Sequence, residues 1–177
     1  MQNRDYFANM NNIIKVSAGI RGKDVALRIE GKATWKIADA VKKFEELHLV
    51  DLNEAKRLIF DLSYCTAIDS TAIGLICHLA VRYMKSTGNK AVAWIEQERV
   101  WGVFELMNCD RILDMQPTPQ DESSALVAVL QELKIEETGE EVLRDTMLTA
   151  HTALSELNAD NEAQFAEVIE DLKKRKK

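Results

Sequence analysis

The sequence lacks the residues and motifs on which most metal proteins and cofactor enzymes depend. It has three cysteines and two prolines in 177 residues, and no two cysteines have CxxC spacing. An odd number of scattered thiols indicates reduced, buried cysteines, and hence a cytoplasmic protein rather than a disulfide framework. GxGxxG, GxxxxGK[ST], GxSxG and HExxH are all missing from the sequence. We therefore expect no cofactor and no metal.

A catalytic arrangement is also missing. Cys65 or Cys77 could be paired with His78 as nucleophile and base, but adjacent helix residues point about 100° apart and no third, orienting group is evident. The three histidines are far apart in sequence, and we expect His48 and His151, like His78, at helix surfaces or boundaries. The sequence therefore predicts a protein that is not an enzyme, with no catalytic residues.

Charge and hydropathy exclude two further classes of partner. The net charge of −6 disfavours binding to DNA. No apolar run reaches the ~18 residues that a membrane span needs, and the polar start of the chain lacks the core of a signal peptide. We therefore expect no DNA partner, no membrane span and a cytoplasmic location.

Hydrophobic periodicity predicts an α/β fold. Hydrophobic residues make up 46% and charged residues 29% of the chain, as in ordinary globular proteins. Two strands joined by a hairpin come first, and Gly31 is expected to end the second; helices and short apolar strands then alternate. Strands are predicted at 13–18, 25–29, 58–62 and 91–95, and helices at 37–48, 71–86, 100–107 and 121–133. Residues 112–115 are either a last strand or a short apolar anchor. This order predicts a small mixed sheet covered by helices.

The chain divides into three parts by composition. Residues 1–12 form a flexible lead-in, 13–135 the main domain and 136–177 a C-terminal helical extension. An apolar stripe runs through the extension as two helical faces, which predicts a helical hairpin. The stripe consists of Leu143, Met147, Ala150, Leu154, Leu157, Phe165, Val168, Ile169 and Leu172. It either packs on the main domain or on itself, or forms a surface for a partner or for self-association. The core pattern is complete by Leu133, so we expect the main domain to fold without the extension.

The segment 58–79 is the centre of the pattern. A buried strand at 58–62 and a turn at 63–66 lead to Asp69, Ser70 and Thr71, where a loop becomes a helix. A hydroxyl at a helix N-terminus can cap the helix or hold a phosphate near the exposed N–H groups. In the capping interpretation Ser70 or Thr71 accepts the N–H bond and Asp69 interacts with the helix dipole.

These residues resemble a STAS domain, the fold of bacterial anti-sigma factor antagonists. The family's strand ending in D-L-S matches residues 58–62, and its D-S-[ST] turn matches Asp69-Ser70-Thr71. The apolar-Gly end of that turn matches Ile73-Gly74, and Gly88 matches the mid-domain glycine. The last helix matches at 104–108 and 111–112. Ala72 stands where the family usually has Gly, and 34–35 lack the family's acidic residue. The resemblance covers 13–133.

The resemblance implies a phosphorylation-switched interaction module. The partner would be a kinase-type anti-sigma factor that phosphorylates Ser70, or secondarily Thr71, and a cognate phosphatase would reset the switch. Asp69, Ser70, Thr71, Ile73 and Gly74 would form the partner-binding face. A constitutive scaffold or accessory subunit without a phosphate switch, for example of a transport or signalling complex, remains the alternative. A small-ligand sensor on the same fold is the third possibility.

Overall fold

The computed structural model describes residues 14–49 and 55–174. The predicted lead-in at 1–12 lies outside the described residues. Within those ranges the chain forms seven strands and six α-helices. The strands are β1 (Lys15–Arg21), β2 (Asp24–Ala33), β3 (Arg57–Asp61), β4 (Cys65–Ile68), β5 (Ala91–Trp94), β6 (Leu113–Gln116) and β7 (Gln131–Leu133). The helices are α1 (Ala38–His48), α2 (Ser70–Thr87), α3 (Glu98–Leu106), α4 (Gln120–Val127), α5 (Glu140–Ser155) and α6 (Ala159–Lys174).

The strands form one mixed sheet in the order β6-β5-β3-β2-β1-β7, with β4 paired to β2. The pairs β2–β3, β3–β5 and β5–β6 are parallel, whereas β1 runs antiparallel to both of its neighbours. The β1–β2 hairpin turns at Gly22, whose φ of 64° is a left-handed conformation that glycine adopts without a steric penalty. The predicted α/β class and the mixed sheet are confirmed.

Alternate residues of the strands supply two hydrophobic layers. Leu58 and Phe60 of β3 face the larger core, together with α1 and α2, while Ile59 faces the smaller layer under α4. Trp94 of β5 and Leu126 of α4 belong to that smaller layer. This alternation follows from the period of two along a strand, and it leaves β3 covered on both faces.

Three predicted elements differ from the structure. Strand β2 does not end at Gly31 but continues to Ala33, with an irregularity of register at Gly31 that lets it pair with β4. β4 itself falls in a segment interpreted as turn and loop. Residues 131–133 were predicted as the end of a helix but form β7, which pairs with β1. Both missed strands have four residues or fewer, so they carry little periodicity and depend on a neighbour's hydrogen bonds. Of the two alternatives for 112–115, the structure has the strand.

The C-terminal helices are present as an antiparallel pair and belong to the main core. α5 packs along α2, and α6 packs against α5. The side chains of Ala150, Leu154, Leu157 and Phe165 are all buried in the same hydrophobic cluster as the sheet. The apolar stripe thus packs on the main domain, and the core expected to be complete by Leu133 continues into the extension. In the part of the chain described, no helix combines the length and hydrophobicity of a membrane span.

Candidate functional site

Asp69 fixes the start of α2. It is the N-cap, with an extended φ of −97°, and its Oδ1 accepts a hydrogen bond from the Ala72 backbone N–H at 2.8 Å. Its Oδ2 accepts another from the Trp35 N–H at 2.9 Å. The expectation that Ser70 or Thr71 would cap the helix is therefore wrong, because both already lie inside it. The Asp69 cap contributes about 1 kcal/mol and joins the start of α2 to Trp35, two residues after β2 ends.

The Ser70 side chain is half-buried at the first helical position. Its Oγ lies 3.2 Å from Nε2 of His151, which is 81 positions away in sequence. Which of the two atoms donates depends on the tautomer of the imidazole. His151 is on α5, is only 4% exposed, and stacks on Phe165 of α6 with ring centroids 5.3 Å apart. The Ser70 hydroxyl is thus held by the hairpin rather than freely exposed.

His151 is the site residue that sequence reasoning missed. It was expected at a helix surface or boundary, but it is buried. A signal was present: His151 lies four residues after Met147 and three before Leu154, within the apolar stripe of α5. A polar side chain on such a stripe must find a partner when the stripe packs, and here the partner is Ser70.

The other predicted contact residues lie beneath the surface. Thr71 is 4% exposed and Ile73 is fully buried in the core. Gly74 faces α5 so closely that a Cβ there would lie 2.3 Å from the Ala150 carbonyl oxygen. Glycine is required at this position because the two helix backbones touch. Asp69 and Ser70, both half-buried, therefore form the accessible part of the predicted face.

Burial sets the charge state of the imidazole. It lowers the pKa of His151 below its usual 6.5, and the nearby Asp69 carboxylate offsets part of this effect. The neutral ring is therefore favoured at neutral pH. A neutral imidazole has one donor and one acceptor nitrogen, so Nε2 either donates a hydrogen bond to Ser70 Oγ or accepts one from it, depending on the tautomer.

A second polar cluster lies on the α4 side of the sheet. The Asp61 carboxylate is fully buried, and its Oδ2 lies 3.3 Å from Arg28 Nε. It also accepts hydrogen bonds from the Ser63 N–H and hydroxyl and from the Ser123 hydroxyl. Ser63 Oγ in turn lies 2.8 Å from Thr118 Oγ1. This cluster ties β2, β3 and α4 together at the end of the D-L-S strand.

The thiols are arranged for packing. Burial raises the pKa of Cys65 to about 11. Cys77 and Cys109 are buried with sulfurs 3.5 Å apart, and this contact together with burial raises the pKa of Cys77. The thiols of Cys65 and Cys77 are therefore protonated at neutral pH, and a protonated thiol is a weak nucleophile. Within residues 14–49 and 55–174, no cluster of three or more histidine, cysteine or carboxylate side chains could hold a metal ion.

Three solved structures are similar to this chain. An anti-sigma factor antagonist from Mycobacterium paratuberculosis matches with a TM-score of 0.51 and 14% identity, over 65% of this chain and 95% of that one. A Thermotoga maritima protein described as a candidate anti-sigma factor antagonist matches at 0.49 and 23% identity, over 62% and 92%. An anti-sigma factor antagonist in its unphosphorylated form matches at 0.46 and 14% identity, over 66% and 98%. No family model and no curated protein matches the sequence.

The first of these matches shows that the chain has the fold of the anti-sigma factor antagonists, the STAS fold, as the resemblance in sequence predicted. At 14% identity the similarity concerns the fold. The matched structure is covered almost completely, whereas about a third of this chain has no counterpart in it.

Proposed function

We propose that this chain is an anti-sigma factor antagonist that binds a kinase-type anti-sigma factor while Ser70 is unphosphorylated and releases it once Ser70 is phosphorylated. The observation that carries the proposal is the position of the Ser70 hydroxyl. It is half-buried at the first residue of α2, directly after the Asp69 cap, in a chain with the STAS fold. Thr71 is 4% exposed, which favours Ser70 as the phosphate acceptor.

The modification is an ordinary phosphoryl transfer. The kinase supplies a nucleoside triphosphate, and Ser70 Oγ attacks its γ-phosphorus. A new O–P bond forms while the bond to the bridging oxygen breaks, so that the nucleoside diphosphate leaves, and the hydroxyl proton passes to a base of the kinase. The phosphatase reverses the modification by hydrolysis, in which water replaces Ser70 Oγ on phosphorus and inorganic phosphate is released.

The switch works through charge. A phosphoserine adds about −1.5 to −2 charges at neutral pH. At the N-terminus of α2 this charge lies near unpaired N–H groups and the positive end of the helix dipole, so the domain tolerates it. Against a docked partner, and beside Asp69, the same charge is repulsive and must be desolvated. A loss of about 3 kcal/mol would weaken binding more than a hundredfold.

The proposed partner face begins with Asp69 and Ser70 and continues to Thr71, Ile73 and Gly74. Trp35, whose N–H donates to Asp69, is 40% exposed beside them and offers an aromatic contact. Gly74 lies under α5, so a partner reaches it only when α5 moves.

One observation favours a second candidate, a constitutive scaffold or accessory subunit with no phosphate switch. The Ser70 hydroxyl already has a partner in His151, and α5 covers the neighbouring turn of α2. If this contact never opens, the hairpin is a permanent part of the fold and partners bind elsewhere.

The two candidates differ in what substitutions at Ser70 do. Wild-type, Ser70→Ala and Ser70→Asp chains serve as bait in a lysate of the source cells, with captured proteins identified by mass spectrometry and their affinities then measured. We expect Ser70→Ala to retain an anti-sigma factor kinase and Ser70→Asp to bind it at least a hundredfold more weakly. Ser124→Asp, on the exposed side of α4, is the matched control. Equal binding by Ser70→Asp and the control would establish the scaffold instead.

A further inference from the structure

The C-terminal hairpin of α5 and α6 covers the face of α2 that begins at Ser70. We propose that this hairpin is a built-in competitor for the partner face: when docked, it excludes a partner and a kinase from α2, and a phosphate on Ser70 prevents it from docking. This inference rests on the proposed role of Ser70 and assigns a regulatory element to that site.

The exclusion follows from the closeness of the two helices. At Gly74 the backbones of α2 and α5 touch, since even a single added carbon would lie 2.3 Å from the Ala150 oxygen and 2.6 Å from its carbonyl carbon. Ala150 itself has no exposed surface. No side chain of another protein can enter this contact, so a partner that uses this turn of α2 must replace α5.

The contact at Ser70 explains how a phosphate would act. The 3.2 Å between Ser70 Oγ and His151 Nε2 is a hydrogen-bond distance with no room for another atom. A phosphoryl group brings a phosphorus and three oxygens to Oγ. Ser70 lies one helical turn before Gly74, and His151 directly follows Ala150. Helix α5 therefore cannot withdraw from Ser70 without also separating from α2.

The imidazole transmits this displacement to the second helix of the hairpin. His151 stacks on Phe165, which is also buried, so movement of the ring disturbs both α5 and α6. His151 Nδ1 is buried with no hydrogen-bond partner among the described residues. The docked state therefore has the desolvation cost of this nitrogen, whereas in the undocked state water can bind it. Residues 134–139, between β7 and α5, have no regular structure and supply the connection about which the hairpin can turn.

Gly74→Ala in the full chain tests the closed state without any partner. Alanine stabilises a helix more than glycine does, so the substitution should destabilise only the packing of α5 on α2. We expect amide hydrogen exchange in α5 and α6 to become at least tenfold faster, with protection in α2 and the sheet retained. Gly102→Ala in α3 is the matched control, because among the described residues no atom beyond its chain neighbours and its own helix backbone lies within 4 Å of the added methyl. Unchanged exchange in α5 and α6, or loss of protection throughout the protein, would overturn the proposal.

Phosphoserine incorporated at position 70 during translation tests the phosphate step independently of any kinase. We expect the same pattern of faster exchange in the hairpin, and no change for phosphoserine at the exposed position 124. A hairpin that stays protected with phosphoserine at position 70 would refute this inference while leaving the binding experiment with Ser70→Asp intact. Conversely, if Ser70→Asp leaves partner affinity unchanged, the proposed function fails but the exchange results still stand.

Discussion

Replacing Asp61 with alanine is expected to lower the free energy of unfolding by about 3 kcal/mol, because it leaves a buried arginine without its main partner. Arg28 is 5% exposed, and Asp61 Oδ2 lies 3.3 Å from its Nε. After the substitution Arg28 keeps Glu30, with an Nε–Oε1 distance of 3.8 Å, and the Ser123 hydroxyl, 3.5 Å from its Nη2. It also keeps the ring of Tyr64, whose centroid is 4.9 Å from its Cζ. Breaking a buried pair typically costs about 3–5 kcal/mol, and these remaining contacts place the effect at the lower end.

Urea unfolding followed by circular dichroism measures this effect. Since domains are stable by only about 5–15 kcal/mol, a loss of this size moves the midpoint clearly. Asp110→Ala, which removes an exposed carboxylate, is the control and should change stability by less than about 0.5 kcal/mol. The double variant Asp61→Ala with Arg28→Met removes both charges and should recover part of the loss. A loss below about 1 kcal/mol for Asp61→Ala, or no recovery in the double variant, would refute the reasoning.

Two further predictions concern the end of α2 and the histidines. Gly88 ends α2 with φ 75°, and a Cβ added there would meet no neighbour among the described residues. Gly88→Ala should therefore lower the free energy of unfolding by about 1 kcal/mol through backbone strain alone. Gly139→Ala, at φ −60° and with equally open surroundings, should lower it less in the same urea titration. Burial lowers the pKa of His48, His78 and His151 below 6.5, so the folded state favours their neutral forms. The stability that these histidines contribute is therefore complete above pH 6.5 and is lost as the pH falls through their lowered pKa values. Thermal unfolding should therefore occur at lower temperature at pH 5.5 than at pH 7.5, and a pH dependence that His151→Gln leaves unchanged would contradict the role of that imidazole.

The sequence by itself determined the centre of the fold. Periodicity and helix-terminal residues predicted the apolar run of β3, the Asp69-Ser70-Thr71 turn and the helix ending at Gly88. Both signals act over a few neighbouring positions. The same local rules indicated two helices in the extension. They were too coarse to decide which of three adjacent polar residues caps α2, because that choice depends on backbone angles at single residues.

Only the tertiary structure decided what Ser70 faces. The strands β4 and β7 exist because β2 and β1 offer them hydrogen bonds, and neither has enough residues to show its own pattern. Whether the stripe on α5 would bind another protein or this one depended on its fit to α2, where Gly74 allows the backbones to meet. The bond between Ser70 and His151 follows from that fit. A contact across 81 positions is set by which helix faces pack together, and no local pattern records it.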